Sequence, residues 1–357
     1  MKKHLLKNIF SVMIFILSGF IITAIASEKE KTFNVSKGDK LAVAVTNGNI
    51  TISIWNKDQA YIKVSNIDED DLNELKIEQA GNSVVVDFTG QDSDDLLVEV
   101  SIPSQFNLDV SSGAGNITTK GKIKGPVGLS TGGGNIKLDD FGDKLSVSTG
   151  GGNISAGNIY GTAEISTGGG NISIGNIGAK TDVSTGGGNI SIGNIEGNAE
   201  VSTAGGIISV GKVSGSAELS TAGGNVNLDG ASGQVEVNTA GGNIVVKNIS
   251  GSIAGNTAGG NIYADLIPPI SGYGEFSTAG GDITLTIPSN SKVSIEASVY
   301  VGKNIPESEA NKFIKSDFES STVNFVKGNF NKTYLINGGG PTIELNTASG
   351  KIKISKK

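Results

Sequence analysis

Five carboxylates recur at one fixed interval: Glu164, Asp182, Glu200, Glu218 and Glu236 are each eighteen residues apart. Carboxylates are hard oxygen ligands, so a column of them on one outer face could gather divalent cations or hold a cationic partner. The opposing reading is a solvated face that keeps a sticky β-structure soluble and blocks lateral packing. Single carboxylates along a strand face do not close a calcium cage. Stacked like charges also cost a few tenths of a kcal/mol per pair. Two further acidic sets lie in turn-like sequence, Asp139, Asp140 and Asp143, and Asp92, Asp94 and Asp95. Each could ligate a metal, but such runs are ordinarily solvated turn residues. Asp139 with Asp143 is the one pair that could serve as glycosidase carboxylates.

Other chemistries lack their residues. The chain has no cysteine, and its only histidine, His4, and both methionines, Met1 and Met13, lie at the N-terminus. There is no arginine, so every basic residue is lysine. These absences remove Ser-His-Asp triads, cysteine nucleophiles, histidine-bearing zinc sites and an arginine base. No catalytic residue and no cofactor-binding residue is assigned, and a non-enzyme is expected. An acidic, arginine-free surface also argues against nucleic acid, whose phosphates call for clustered Lys and Arg.

Residues 1–26 read as an export signal. Lys2, Lys3 and Lys7 precede an uncharged apolar run over 9–26, and Ala24 and Ala26 supply small residues at cleavage spacing, placing the cut after Ala26. An uncleaved anchor is the alternative, because about eighteen apolar residues just span a bilayer; that segment is the one expected membrane contact. Without Lys2, Lys3 and Lys7 the formal charge moves from −7 to −10. The expected location is the periplasm or the cell surface.

The element that positions these residues is a repeat. Ser/Asn-Thr-Gly/Ala-Gly-Gly begins at Ser130, Ser148, Ser166, Ser184, Ser202, Ser220, Asn238 and Asn256, then at Ser277 after a three-residue insertion near Pro268 and Pro269. A short fixed period means one structural rung copied along an axis, each burying its apolar side against its neighbours. Ile172 and Ile174 flank an outward Ser173, Val183, Val201, Leu219 and Val237 form a second apolar column, and Ile159, Ile177, Ile195, Val213 and Ile249 a third. The expectation is an all-β, single-stranded β-solenoid (β-helix) with ~18-residue rungs, each giving two short strands joined by glycine corners. About nine or ten rungs would make a rod on the order of 45 Å.

Four segments follow: a signal peptide at 1–26, a non-repeating N-terminal β region capping the solenoid at 27–107, the repeat array at 108–288, and an irregular β region and cap at 289–357. Strands are expected at 41–45, 50–55, 61–64, 76–79, 84–88 and 96–102, with a helical turn near 72–75. Lys351, Lys353, Lys356 and Lys357 are expected to guard the C-terminal edge against strand addition. The column Asn135, Asn153, Asn171 and Asn189, continued at Asn225, Asn243 and Asn261, reads as a structural amide ladder satisfying buried corner groups. Ser155, Ser173, Ser191 and Ser209 form an outward column that could face a glycan.

Two stretches carry a family resemblance. One is Thr46-Asn-Gly-Asn-Ile-Thr-Ile-Ser-Ile-Trp55, with Val98-Glu-Val-Ser-Ile-Pro103 leading into Ser111-Ser-Gly-Ala-Gly-Asn-Ile117. The other is the recurring Ser-Thr-Ala/Gly-Gly-Gly-Asn-Ile element, closing in Leu285-Thr-Ile-Pro288. In these the chain resembles the "putative adhesin" β-strand-repeat family of bacterial envelope proteins, a domain of unknown function of the DUF4097 type. Ile207, standing where other rungs have Asn, departs from the pattern. The resemblance brings no catalytic residues to transfer. It implies an exported, non-catalytic surface of the cell envelope, adhesin-like or structural, toward a glycan or envelope protein. The alternatives are a periplasmic scaffold or sensory module with a protein partner and, behind both, a polysaccharide-active β-helix enzyme.

Overall fold

The structure, a computed structural model, describes residues 27–89, 95–267 and 272–357. The signal segment 1–26, Asp92, Asp94 and the prolines Pro268 and Pro269 lie outside the described residues. Among the described residues the protein is all-β, with a single turn of 3-10 helix at Glu69–Asn73 and one of α-helix at Glu307–Ala310.

One turn of the repeat shows why the sequence folds this way. In Ala163–Thr167 the side chains of Ala163, Ile165 and Thr167 point inward, while Glu164 and Ser166 face out. Glycines then turn the chain, and Ile172–Ile174 buries both isoleucines around an exposed Ser173. Ile177 makes a single parallel bridge to the rungs on either side before the chain enters Thr181–Thr185. Each such strand pairs in parallel with its copy eighteen residues on, Glu164 against Asp182 and Ile172 against Ile190. The three apolar columns of the sequence are thereby the core, and each fully buried isoleucine contributes roughly 1.5–3 kcal/mol of transfer free energy.

The strands form two long sheets. Sheet 1 holds the five-residue strands such as Ala163–Thr167, and sheet 2 the shorter ones such as Ile172–Ile174. Both are open: sheet 1 ends at Lys76–Ala80 and Thr322–Val326, and sheet 2 at Ser27–Asn34 and Ile314–Ser316, each edge strand having one described neighbour.

Chain order and spatial order part company at both ends. Lys40–Val45 and Asn49–Trp55 lie between the later pair Ser83–Phe88 and Leu97–Pro103 and the first turns of the array. At the far end Thr342–Thr347 inserts between Gly274–Thr278 and Val293–Tyr300, and Ile352–Lys356 between Ile283–Ile287 and Ile314–Ser316. The C-terminal lysines therefore do not guard an edge. Lys353 sits on an interior strand, and the outermost strand of sheet 1 carries none of them.

The polar interior differs from expectation too. The buried corner groups are threonines, not asparagines. Thr221 Oγ1 donates to the Gly206 carbonyl at 3.0 Å and accepts the Gly224 N–H at 3.2 Å, linking one rung to the next. The same clasp recurs from Ser112 to Thr347. The asparagines are mostly exposed, and each Oδ1 accepts the backbone N–H one rung on, as Asn135 does from Asn153 at 2.8 Å. The Ile207 N–H donates to Asn189 Oδ1, but Ile207 has no side-chain amide to accept from the next rung.

Candidate binding groove

The outer face of sheet 1 carries two parallel rows. In Ala217–Thr221 the outward residues are Glu218 and Ser220, and in-register pairing stacks each on its counterpart. The acidic row runs Glu164, Asp182, Glu200, Glu218, Glu236, all exposed, as the spacing predicted. It then skips a rung at Ala254 and continues through Glu275, Glu344 and Glu296. Glu275 and Glu344 stand two residues before the Ser/Asn of their repeat elements, so the motif register could have found them. Glu296 could not be found that way, because its strand is placed beside Glu344 only by the out-of-order insertion. A shallow pocket of about 260 Å³ lies along this row, lined by Glu200, Glu218 and Glu236 with Lys180 at its margin. Among the described residues no three carboxylates or other ligating groups converge on a point that could hold a metal ion.

The neighbouring row is hydroxyls and amides: Ser220, Asn238, Asn256, Ser277, Asn346 and Ser298. Its amides are chained, with Asn256 Nδ2 donating to Asn238 Oδ1 at 3.2 Å and Asn238 Nδ2 to Glu236 Oε1 at 2.9 Å. Beyond it, where sheet 1 turns the corner, the array has two versions. Earlier rungs place glycine after the buried threonine, at Gly132, Gly150, Gly168 and Gly186; later rungs place alanine, at Ala204, Ala222, Ala240, Ala258, Ala279 and Ala348.

The two corners bond differently. Gly168 N–H donates to the Thr149 carbonyl, whereas Ala240 N–H donates to the Ala222 carbonyl, each at 3.1 Å. A Cβ on Gly168 would overlap the carbonyl oxygen of Gly150, so a methyl there needs the corner to shift; at Ala222, Ala240 and Ala258 the N–H addresses the preceding alanine carbonyl, whereas Ala348 still addresses a threonine carbonyl, that of Thr278. Along the alanine corners runs a groove of about 980 Å³, from Thr203 and Ala204 to Ala348, with Ser298, Tyr300 and Asn329 at its far end. Its floor is methyl groups, one wall is the hydroxyl and amide row, and the Tyr300 ring is half exposed. The residues carry one signal of this groove, the change from Thr-Gly-Gly-Gly to Thr-Ala-Gly-Gly at Ala204.

The remaining candidates are placed as follows. Asp139 Oδ2 accepts the Gly121 N–H at 2.7 Å and Asp140 Oδ1 the Asn158 N–H at 2.8 Å, so both carboxylates pin backbone between rungs. Asp143 Oδ1 accepts the N–H of its neighbour Lys144. Ser155, Ser173, Ser191 and Ser209 stack on the outer face of sheet 2, away from the groove.

The family model of the Toastrack DUF4097 domain matches residues 164–355, which takes in the alanine corners, the groove and the inserted C-terminal strands. The chain belongs to that family. Solved structures to which the chain is similar include a "putative adhesin" of Bacteroides fragilis NCTC 9343, 12% identical with 93% of this chain and 97% of that one covered and a TM-score of 0.26. A "putative adhesin" of Parabacteroides distasonis ATCC 8503 is 11% identical, with 93% and 97% covered and a TM-score of 0.29. A "putative lipid binding protein" of the same organism is 12% identical, with 92% and 96% covered and a TM-score of 0.27. A search of curated proteins gave no match.

Proposed function

We propose that this Toastrack protein is an exported, non-catalytic β-solenoid of the cell envelope that acts as an adhesin-like interaction surface. The groove along the alanine corners is its contact face and a neutral glycan chain its ligand. The observation that carries the reading is the groove's composition. Sugars offer alternating hydroxyl and C–H faces, and here a row of amides and hydroxyls runs beside a row of methyls, ending at an exposed tyrosine ring. Rungs about 4.8 Å apart repeat at a spacing of the order of one sugar unit in an extended chain. Each contact would be weak, and affinity would rise with the number of rungs engaged.

Titration calorimetry of the full chain with neutral oligosaccharides of increasing length tests this. Affinity that climbs with length, and falls at least tenfold in Tyr300→Ala and Asn256→Ala, supports it. Binding indifferent to both substitutions, or none to any neutral glycan, rejects it. Labelling of an epitope tag after Lys357 on intact cells tests the external location separately.

A further inference from the structure

We propose that the protein pairs with a second copy of itself through the edge strand Thr322–Val326, antiparallel about a two-fold axis. This is independent of what the groove binds.

Among the described residues the two sheets present four edge strands. An edge strand shows unpaired backbone groups at alternate residues and is a template for another strand unless it is charged, very short or otherwise blunted. Ser27–Asn34 is blunted: Glu28 and Glu30 point out, while Lys29 and Lys31 reach inward to the carbonyls of Leu72, Leu75 and Ile77. Lys76–Ala80 carries Lys76 and Glu78 in five residues, and Ile314–Ser316 is three residues long with Lys315 at its centre. The fourth edge, Thr-Val-Asn-Phe-Val, has no charge, and its Val323 and Val326 are 45% and 51% exposed.

Shape favours access. Sheet 2 stops at Ile314–Ser316, level with Val293–Tyr300 of sheet 1, but sheet 1 continues with Asn329–Ile336 and then Thr322–Val326. The hairpin thus projects two strands, on the order of 10 Å, beyond the last strand of sheet 2.

The occupant that fits is the same strand reversed. With Asn324 opposite Asn324 of the second copy, Val323 faces Phe325 and Phe325 faces Val323 across the axis. Their side chains join one apolar strip that extends the Phe325–Phe330 edge contact, 6.3 Å between ring centroids. The flanks are complementary as well. The charges nearest the strand are Glu319 before it and Lys327 at the hairpin turn after it, so the reversed copy brings the basic end of each strand toward the acidic end of its partner. A two-fold pairing also closes, consuming both uncharged edges and leaving only blunted ones outside. A single strand pair buries less than the roughly 1,200 Å² of a standard interface, so the dimer is a weak, concentration-dependent one.

Sedimentation equilibrium of the full chain tests the proposal together with a designed thiol. A concentration-dependent dimer is expected, with Val323→Lys raising its dissociation constant at least tenfold. Val323 is exposed, so an unchanged melting curve for that variant keeps a folding defect apart from lost pairing. Because the chain has no cysteine, Asn324→Cys introduces a single thiol; it should oxidise to a covalent dimer at concentrations where Ser173→Cys, on the outer face of sheet 2, stays monomeric. A chain still monomeric at about 1 mM, a concentration at which a weak dimer forms, would overturn it. So would a dimer untouched by Val323→Lys, or open-ended oligomers, which would mean pairing with a different edge.

Discussion

The glycine-cornered and alanine-cornered halves of the array share every buried column, yet only the second carries the large groove. The core of Ala163–Thr167 and that of Ala217–Thr221 are built alike, as are the threonine clasps at Thr167 and Thr221. What differs at the corner is one carbon atom per rung and, at Ala222, Ala240 and Ala258, the carbonyl that the corner N–H addresses; the sheet 2 strands lengthen as well, from Ile172–Ile174 to Ile208–Val213. A methyl on the glycine path meets the carbonyl beneath it, and the shifted corners at Ala222, Ala240 and Ala258 stack along the open groove. In a repeat protein a substitution too small to alter one rung's stability much can still create a surface, because it is multiplied along the axis.

The comparison can be broken first at the glycines. A Cβ on Gly170 would overlap the Gly152 carbonyl, a clash present in both halves at equivalent glycines. Gly170→Ala should cost about 3 kcal/mol or more. Gly168→Ala should cost less, about 1–3 kcal/mol, since the alanine corners show another path exists. Ala240→Gly should change stability by no more than about 1 kcal/mol. Thermal denaturation of the three variants ranks them, and equal losses at Gly168 and Gly170 would mean that the two corners do not interconvert.

The threonine clasp should not tell the halves apart. Thr167→Val and Thr221→Val each leave a glycine carbonyl and a glycine N–H without their bridge, and urea titrations should show a loss of about 1–3 kcal/mol in both. Smaller again is a gain. Ile207 interrupts the asparagine ladder in the first alanine-cornered turn and is 41% exposed. Ile207→Asn should restore the link to Asn225 and add about 0.5–1 kcal/mol. A loss in the same urea assay would show that the ladder contributes nothing at this boundary.

The smallest effect is at the N-terminal edge. Glu30 is held below its ordinary value of 4.5, first by its hydrogen bond with Tyr61 and then by Lys63. A carboxyl lowered in the folded state stabilises above that ordinary value and loses the contribution as pH falls through its folded one. The melting-temperature gap between wild type and Tyr61→Phe should therefore be open at neutral pH and close on acidification. A gap independent of pH would assign Tyr61 a packing role alone.

Much of this was legible in the residues. Period eighteen gave the pairing register, because identical rungs stacked in parallel can hardly pair otherwise, and the alternation around Ser173 and Ser191 gave the inward faces. The acidic row was legible as far as Glu236 and, by motif register, to Glu344. Three things were not. The inward threonine was hidden by its polarity, although alternation from Ile165 places Thr167 inside. The groove depended on a backbone shift at Ala222 and Ala240 that composition does not express. The insertion of Thr342–Thr347 and Ile352–Lys356 between earlier strands is a choice of neighbour, and both candidate neighbours present the same apolar pattern.

That insertion also decides how the molecule breaks under load. In a stack wound in chain order, tension on the C-terminus peels the final turn and works inward. Here the last strands are wedged beneath Val293–Tyr300 and Ile314–Ser316, so a pull on Lys357 draws a strand from between two others. Over Ile352, Lys353 and Ile354 two ladders resist together, while Ser355 and Lys356 pair with a strand on one side only, at Thr286 and Ile287. A tether attached at that end should therefore resist more than one fixed to a final turn with a single neighbour.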